Sequence, residues 1–129
     1  MAIDFLTLDD VIAIYEDQIE RYGGQAGIRD MNALLSAVAM PQATFDGKHL
    51  HADIFEMAAA YLFHLVQNHP FVDGNKRAGA VAALVFLDLN GVEVSIDDDR
   101  LVEFVLDVAQ GRQNKHAIAA FLREHRQGG

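Results

Sequence analysis

The chain has 129 residues, 51% hydrophobic and 22% charged, a composition that suits one globular domain over residues 1–129 rather than a disordered chain. Ten Lys and Arg against nineteen Asp and Glu leave a net charge of −9. That sign argues against direct binding of a nucleic-acid backbone, which needs a basic face, and the absence of cysteine removes disulfide scaffolds, thiolate catalysis and thiolate zinc sites together.

The first eight residues carry Asp4 and no positive side chain, so they do not read as a secretory signal. The longest apolar run, residues 78–87, is too short to span a membrane. A soluble, cytoplasmic domain without a membrane partner is the expectation. Thr7 can cap a first helix over residues 8–22, where Val11, Ile12, Tyr15, Ile19 and Tyr22 repeat at helical spacing before Gly23-Gly24. Asp30 can cap a second helix with Met31, Leu34, Leu35 and Val38, terminated by Pro41. Residues 42–52 are polar around Asp46-Gly47 and suit a loop or small hairpin. Asp53 opens a third helix with Ile54, Met57, Ala58, Tyr61, Leu62 and Leu65 inward. A fourth runs over residues 75–89, nearly apolar on every side, which predicts a place in the middle of the domain. Asn90-Gly91 ends it, and residues 92–96 form a short strand or an extended link. Asp97 starts a fifth helix with Leu101, Val102, Phe104, Val105 and Val108 inward. Asn114 starts a sixth with Ile118, Phe121 and Leu122 inward. The pattern predicts a compact all-α bundle of about six helices.

Residues 69–77, HPFVDGNKR, form a polar loop that feeds directly into the start of the fourth helix. A helix N-terminus offers unpaired backbone N–H groups and a positive dipole end. Gly74 lets the backbone approach a ligand, and Asn75, Lys76 and Arg77 add donors and two positive charges. Together they make an anion site best suited to phosphate. His69 carries an imidazole, the side chain that exchanges protons near neutral pH, and can act as general base. Asp73 can offer one carboxylate to a phosphate-bound magnesium ion. A base, a metal carboxylate and an anion nest within one loop are the parts of a phosphoryl or nucleotidyl transferase.

This segment resembles the signature of the Fic/Doc superfamily, His-x-Phe-x-(Asp/Glu)-Gly-Asn-(Gly/Lys)-Arg. His69, Phe71, Asp73, Gly74, Asn75 and Arg77 match, and Lys76 is the form found in the Doc (death-on-curing) branch. Arg21-Tyr22-Gly23-Gly24 and the later Ala83 to Leu87 and Asn90-Gly91-Val92 are similar to that branch as well. The resemblance implies an all-α Fic/Doc fold and the toxin half of a toxin–antitoxin pair. The implied activity is a protein kinase that moves the γ-phosphate of ATP to a threonine of elongation factor Tu and stops translation. ATP and magnesium are the implied cofactors. His69 would deprotonate the target hydroxyl, and Asp73 would hold magnesium and help orient the base. Gly74 and Asn75 would form the anion pocket, Lys76 and Arg77 would hold phosphate, and Phe71 would anchor the loop. Residues 42–52 stand where such enzymes carry a flap that docks the target.

The resemblance leaves two other readings open: a Fic-type AMP transferase acting on a protein hydroxyl, and a non-catalytic Fic-fold binding module. AMP-transferring members place a second Arg three positions after the first, where this chain has Ala80. Lys76 present and Ala80 apolar favour the kinase. Many Fic proteins also carry an inhibitory Ser/Thr-x-x-x-Glu helix. Here Thr7, Ser36, Thr44 and Ser95 are followed four residues on by Val11, Met40, Lys48 and Asp99. The brake is therefore expected from outside, and the resemblance implies a Phd-like antitoxin that also supplies DNA binding.

Other polar groups receive plainer readings. His49-Leu50-His51 is a weak chelating pair, and no H-E-x-x-H signature supports a metal site. His64 reads as a core group or as a neighbour of His69. His116 and His125 fall in the final helix, and Asp97-Asp98-Asp99 reads as a helix start rather than a calcium loop.

Overall fold

A computed structural model describes residues 2–128. Six α-helices follow in chain order among the described residues: α1 (Leu8–Tyr22), α2 (Met31–Ala39), α3 (Ile54–Asn68), α4 (Asn75–Leu89), α5 (Asp98–Ala109) and α6 (Lys115–Glu124). Each expected cap is in place. The side chains of Thr7, Asp30, Asp53, Asp97 and Asn114 each accept from the backbone N–H three residues on. At α1 the bond is reciprocal, since Asp10 also accepts from the Thr7 N–H at 2.9 Å.

Between α2 and α3 the chain forms a small hairpin, β1 (Thr44–Phe45) antiparallel to β2 (Lys48–His49). Asp46 and Gly47 both have positive φ, 53° and 77°, as the tight turn between twisted strands requires. Pro41 does not simply stop α2. It lies at the start of a single 3-10 turn, Met40–Gln42, because proline suits the first positions of a helical turn and lacks only an N–H that is unpaired there anyway. Residues 92–96 are an extended link, with one bridge from Val94 to Arg126 that ties it to the tail.

The packing centres on α3 rather than α4. α3 touches α2, α4, α5 and α6 and buries Phe55, Met57 to Leu62, Leu65 and Val66. α4 packs along it through Ala78, Ala82, Ala83, Phe86 and Leu87, but leaves Val85 and Leu89 open on its far side. An apolar composition makes a helix tolerant of burial; only the neighbours decide which faces are covered. Val102 departs from expectation for the same reason. It lies on the open side of α5 at 59% exposure, while Phe104, Val105 and Val108 reach the core. The fully buried Tyr61 receives the Leu6 N–H at its hydroxyl, 2.8 Å, and so fastens the N-terminal segment to α3. Among the described residues no helix is long and apolar enough to cross a membrane.

Candidate active site

The loop between α3 and α4 is fixed from below by aromatic packing. Phe71 is 1% exposed and stacks on Tyr15 of α1, ring centroids 3.8 Å apart and planes 1° from parallel. The Tyr15 hydroxyl accepts from the Gly27 N–H at 2.6 Å. Val72 N–H in turn donates to the Gly27 carbonyl at 2.9 Å. The α1–α2 connection and the motif loop are therefore held as one unit.

His69 occupies the C-terminal cap of α3 with φ 47° and ψ 54°, in the left-handed region. For a residue with a Cβ this costs on the order of 1–3 kcal/mol and persists only where the surroundings enforce it. The ring is exposed. Its Nδ1 lies 3.4 Å from Asn75 Nδ2, past good hydrogen-bond length, so Asn75 borders the ring without dictating its tautomer. Asn75 itself is buried and spans Phe71: its Oδ1 accepts from the Phe71 N–H and its Nδ2 donates to the Phe71 carbonyl, each at 3.0 Å.

Asp73, Gly74, Asn75, Lys76 and Arg77 come together with Tyr22, Gly23 and Gly24 around a cleft of about 480 Å³. Gly74 is the N-cap of α4 at φ 81°, and without a side chain it leaves the first-turn N–H groups to the cleft. Arg77 Nη2 donates to the Gly23 carbonyl at 3.0 Å, and its guanidinium faces the Tyr22 ring. Lys76 is exposed. The hydrogen bonds of Asp73 go to backbone: Oδ1 accepts from the Gly74 N–H at 2.9 Å and Oδ2 from the Gln25 N–H at 3.4 Å. The group beside the His69 ring is thus Asn75, whereas Asp73 faces the cleft. His69 stands at the other end of the loop, outside the cleft lining. Ala80, one turn into α4, is 8% exposed.

The loop meets a partner that the sequence offered no sign of. Arg29, just before α2, donates from Nε to the His69 carbonyl at 2.6 Å and from Nη2 to the Asn68 carbonyl at 2.9 Å. No local pattern announces a contact across forty residues.

His64 does not approach His69. It points from α3 toward α6, where Lys115 Nζ lies 3.2 Å from both His64 Nε2 and His51 Nε2. Burial, and then the Lys115 charge, pushes the His64 imidazole down to about 4 and the His51 imidazole below its ordinary range. Among the described residues no three His, Cys, Asp or Glu side chains converge as a metal cluster.

Residues 5–87, which include the whole loop, match the model of the Fic/DOC family. The chain is 41% identical over 103 residues to Toxin Doc of Mycolicibacterium smegmatis, covering 78% of this chain and 79% of that protein. It is 33% identical over 115 residues to Protein kinase doc of Escherichia phage P1, covering 89% and 90%. The six-helix bundle, the motif loop between α3 and α4 and these similarities agree: the chain belongs to the Fic/DOC family.

Proposed function

We propose that this chain is a Doc-type toxin: a cytoplasmic protein kinase that moves the γ-phosphate of ATP to a threonine of elongation factor Tu and so halts translation. The observation that carries this reading is Lys76 in the first turn of α4 with the nearly buried Ala80 one turn on. Positive charge is concentrated at the helix start, and none stands where AMP-transferring relatives hold the distal phosphates of ATP. The similarity to a phage protein named as a kinase supports the same choice. One hydrophobic cluster from Leu6 to Leu122 supports reading residues 1–129 as a single domain.

In this reading Lys76, Arg77 and the N–H groups at the start of α4 hold phosphate by charge and helix dipole. His69 takes the proton of the threonine hydroxyl as its oxygen attacks the γ-phosphorus. The bond from the γ-phosphorus to the bridging oxygen breaks, and ADP leaves with that electron pair. Asn75 and Phe71 keep the loop in shape for both ends of the transfer.

Asp73 fits a magnesium role. Its carboxylate is exposed toward the cleft and only lightly engaged by backbone donors. A lone protein carboxylate suits an ion that takes most of its oxygens from phosphate and water. When bound there, magnesium would neutralise charge on the phosphates.

A Phd-like antitoxin is the proposed brake and the DNA-binding member of the pair. A groove of about 560 Å³ between α1, α4 and α5, lined by Val81, Leu84, Leu101, Val102 and Leu106 among others, supports an apolar segment of that partner. The test of the whole reading is incubation with elongation factor Tu, magnesium and ATP labelled at the γ- or the α-phosphate. Label from the γ position, lost in His69→Ala, is expected. Label from the α position would make the chain an AMP transferase, and label from neither would favour a binding module.

A further inference from the structure

His69 holds a conformation that its own sequence context opposes. A Cβ crowds the carbonyl in the left-handed region, and a residue followed by proline favours extended backbone. His69 is both, at φ 47° and ahead of Pro70. The last turn of α3 carries no basic residue to meet the carbonyls left open at a helix end, and its Asn68 side chain is turned to the Ala33 carbonyl at 3.2 Å.

The enforcing group comes from the α1–α2 connection. One guanidinium spans two successive carbonyls, Arg29 Nε on His69 at 2.6 Å and Nη2 on Asn68 at 2.9 Å. A planar fork makes such a pair of bonds in fixed geometry, and a lysine ammonium does not. The backbone on either side continues the clamp. The N–H groups of Arg29 and Asp30 both donate to the Pro70 carbonyl, at 2.7 and 3.1 Å. Pro70 and His69 are thus gripped at consecutive carbonyls from a single segment.

Resting on the reading of His69 as the base, we infer that Arg29 is a positioning residue for it. The fork fixes the backbone from which the imidazole projects, and with it the point where the ring meets the target hydroxyl. Release of the fork lets His69 relax toward the extended backbone that its sequence prefers and carries the ring away from Asn75. Arg29 is absent from the lining of the cleft around Asp73, Lys76 and Arg77. Its effect therefore falls on proton transfer and not on nucleotide binding.

The test compares the full-length wild type, Arg29→Gln and Arg29→Lys, each with thermal melts to establish folding. A misplacement of about 1 Å in a reacting group costs on the order of a hundredfold. In Arg29→Gln, kcat is expected to fall roughly 10- to 100-fold while KM for ATP stays within about twofold. Arg29→Lys, keeping charge but not the fork, is expected to fall between. Histidine side-chain NMR on the free chain, with the His69 signal assigned by its loss in His69→Ala, is expected to show that signal shifted or broadened in Arg29→Gln, with His116 unchanged. If Arg29→Gln does not fold, Arg29→Lys carries both readouts. An unmoved His69 signal, or a raised KM with kcat intact, overturns the inference. The NMR arm needs no turnover. A wild type that transfers no phosphate sinks the kinase reading, whereas an undisturbed His69 sinks the role of Arg29.

Discussion

Asn75 closes a ring of two hydrogen bonds on the backbone of Phe71, accepting from its N–H and donating to its carbonyl, each at 3.0 Å. The side chain that borders the His69 ring therefore also holds the residue that anchors the loop. Asn75→Ala leaves both Phe71 groups unsatisfied in a buried place, at a cost of roughly 1–3 kcal/mol. Denaturant unfolding should show that loss together with a fall in phosphate transfer. Asn75→Asp keeps the acceptor but sets a carboxylate against the Phe71 carbonyl, so it should be no better than Asn75→Ala. Wild-type stability in Asn75→Ala would contradict the bracket.

The stack of Phe71 on Tyr15 makes a second prediction. Phe71→Ala opens a cavity under the loop and should destabilise by about 3–5 kcal/mol. Tyr15→Phe keeps the stack and removes only the hydroxyl that receives the Gly27 N–H. It should cost about 1 kcal/mol by chemical denaturation. Equal losses in the two variants would mean that the hydroxyl, not the ring, ties the two segments together.

Gly24 approaches Asp73 so closely that an added Cβ would lie 2.7 Å from the Asp73 carboxylate, at a backbone φ of 116°. Gly24→Ala should push the carboxylate aside and weaken magnesium binding, so that transfer needs several-fold more magnesium. A magnesium titration of the variant beside Asp73→Ala reads this directly. An unchanged midpoint in Gly24→Ala would show that Asp73 is not held by this contact.

The cluster of His51, His64 and Lys115 contributes to the acid side of the stability curve. His64 is pushed from 6.5 to about 4 by burial and then by Lys115. Between those values the unfolded chain takes up a proton that folded His64 refuses. Stability should therefore fall as pH falls through that window, and this contribution is flat above it. His64→Leu should flatten part of the slope. Lys115→Met should raise the acid end, since the like charge is gone while the desolvation stays. Identical pH–stability curves for wild type and His64→Leu would contradict the assignment.

Much of the fold was legible because its rules are local. The five helix starts at Thr7, Asp30, Asp53, Asp97 and Asn114 depend on a cap and the backbone three residues on. The motif loop stood out because residues 69–77 are consecutive in sequence. What stayed hidden depends on distant neighbours. Val102 fits a helical repeat, but no element covers it. His64 turns toward Lys115, fifty-one residues away, and not toward nearby His69. Arg29 reaches the loop across forty residues, and nothing beside it in sequence marks it as more than a surface cation.

The identity of the small product tests the central claim most directly, because it depends on which bond of ATP breaks. Phosphorus NMR of the chain with elongation factor Tu, magnesium and ATP should show ADP rising with phosphothreonine on the target, and neither in His69→Ala. Pyrophosphate with an AMP-modified target would contradict the account, and would mean that Lys76 and Ala80 do not set the direction in which the nucleotide binds.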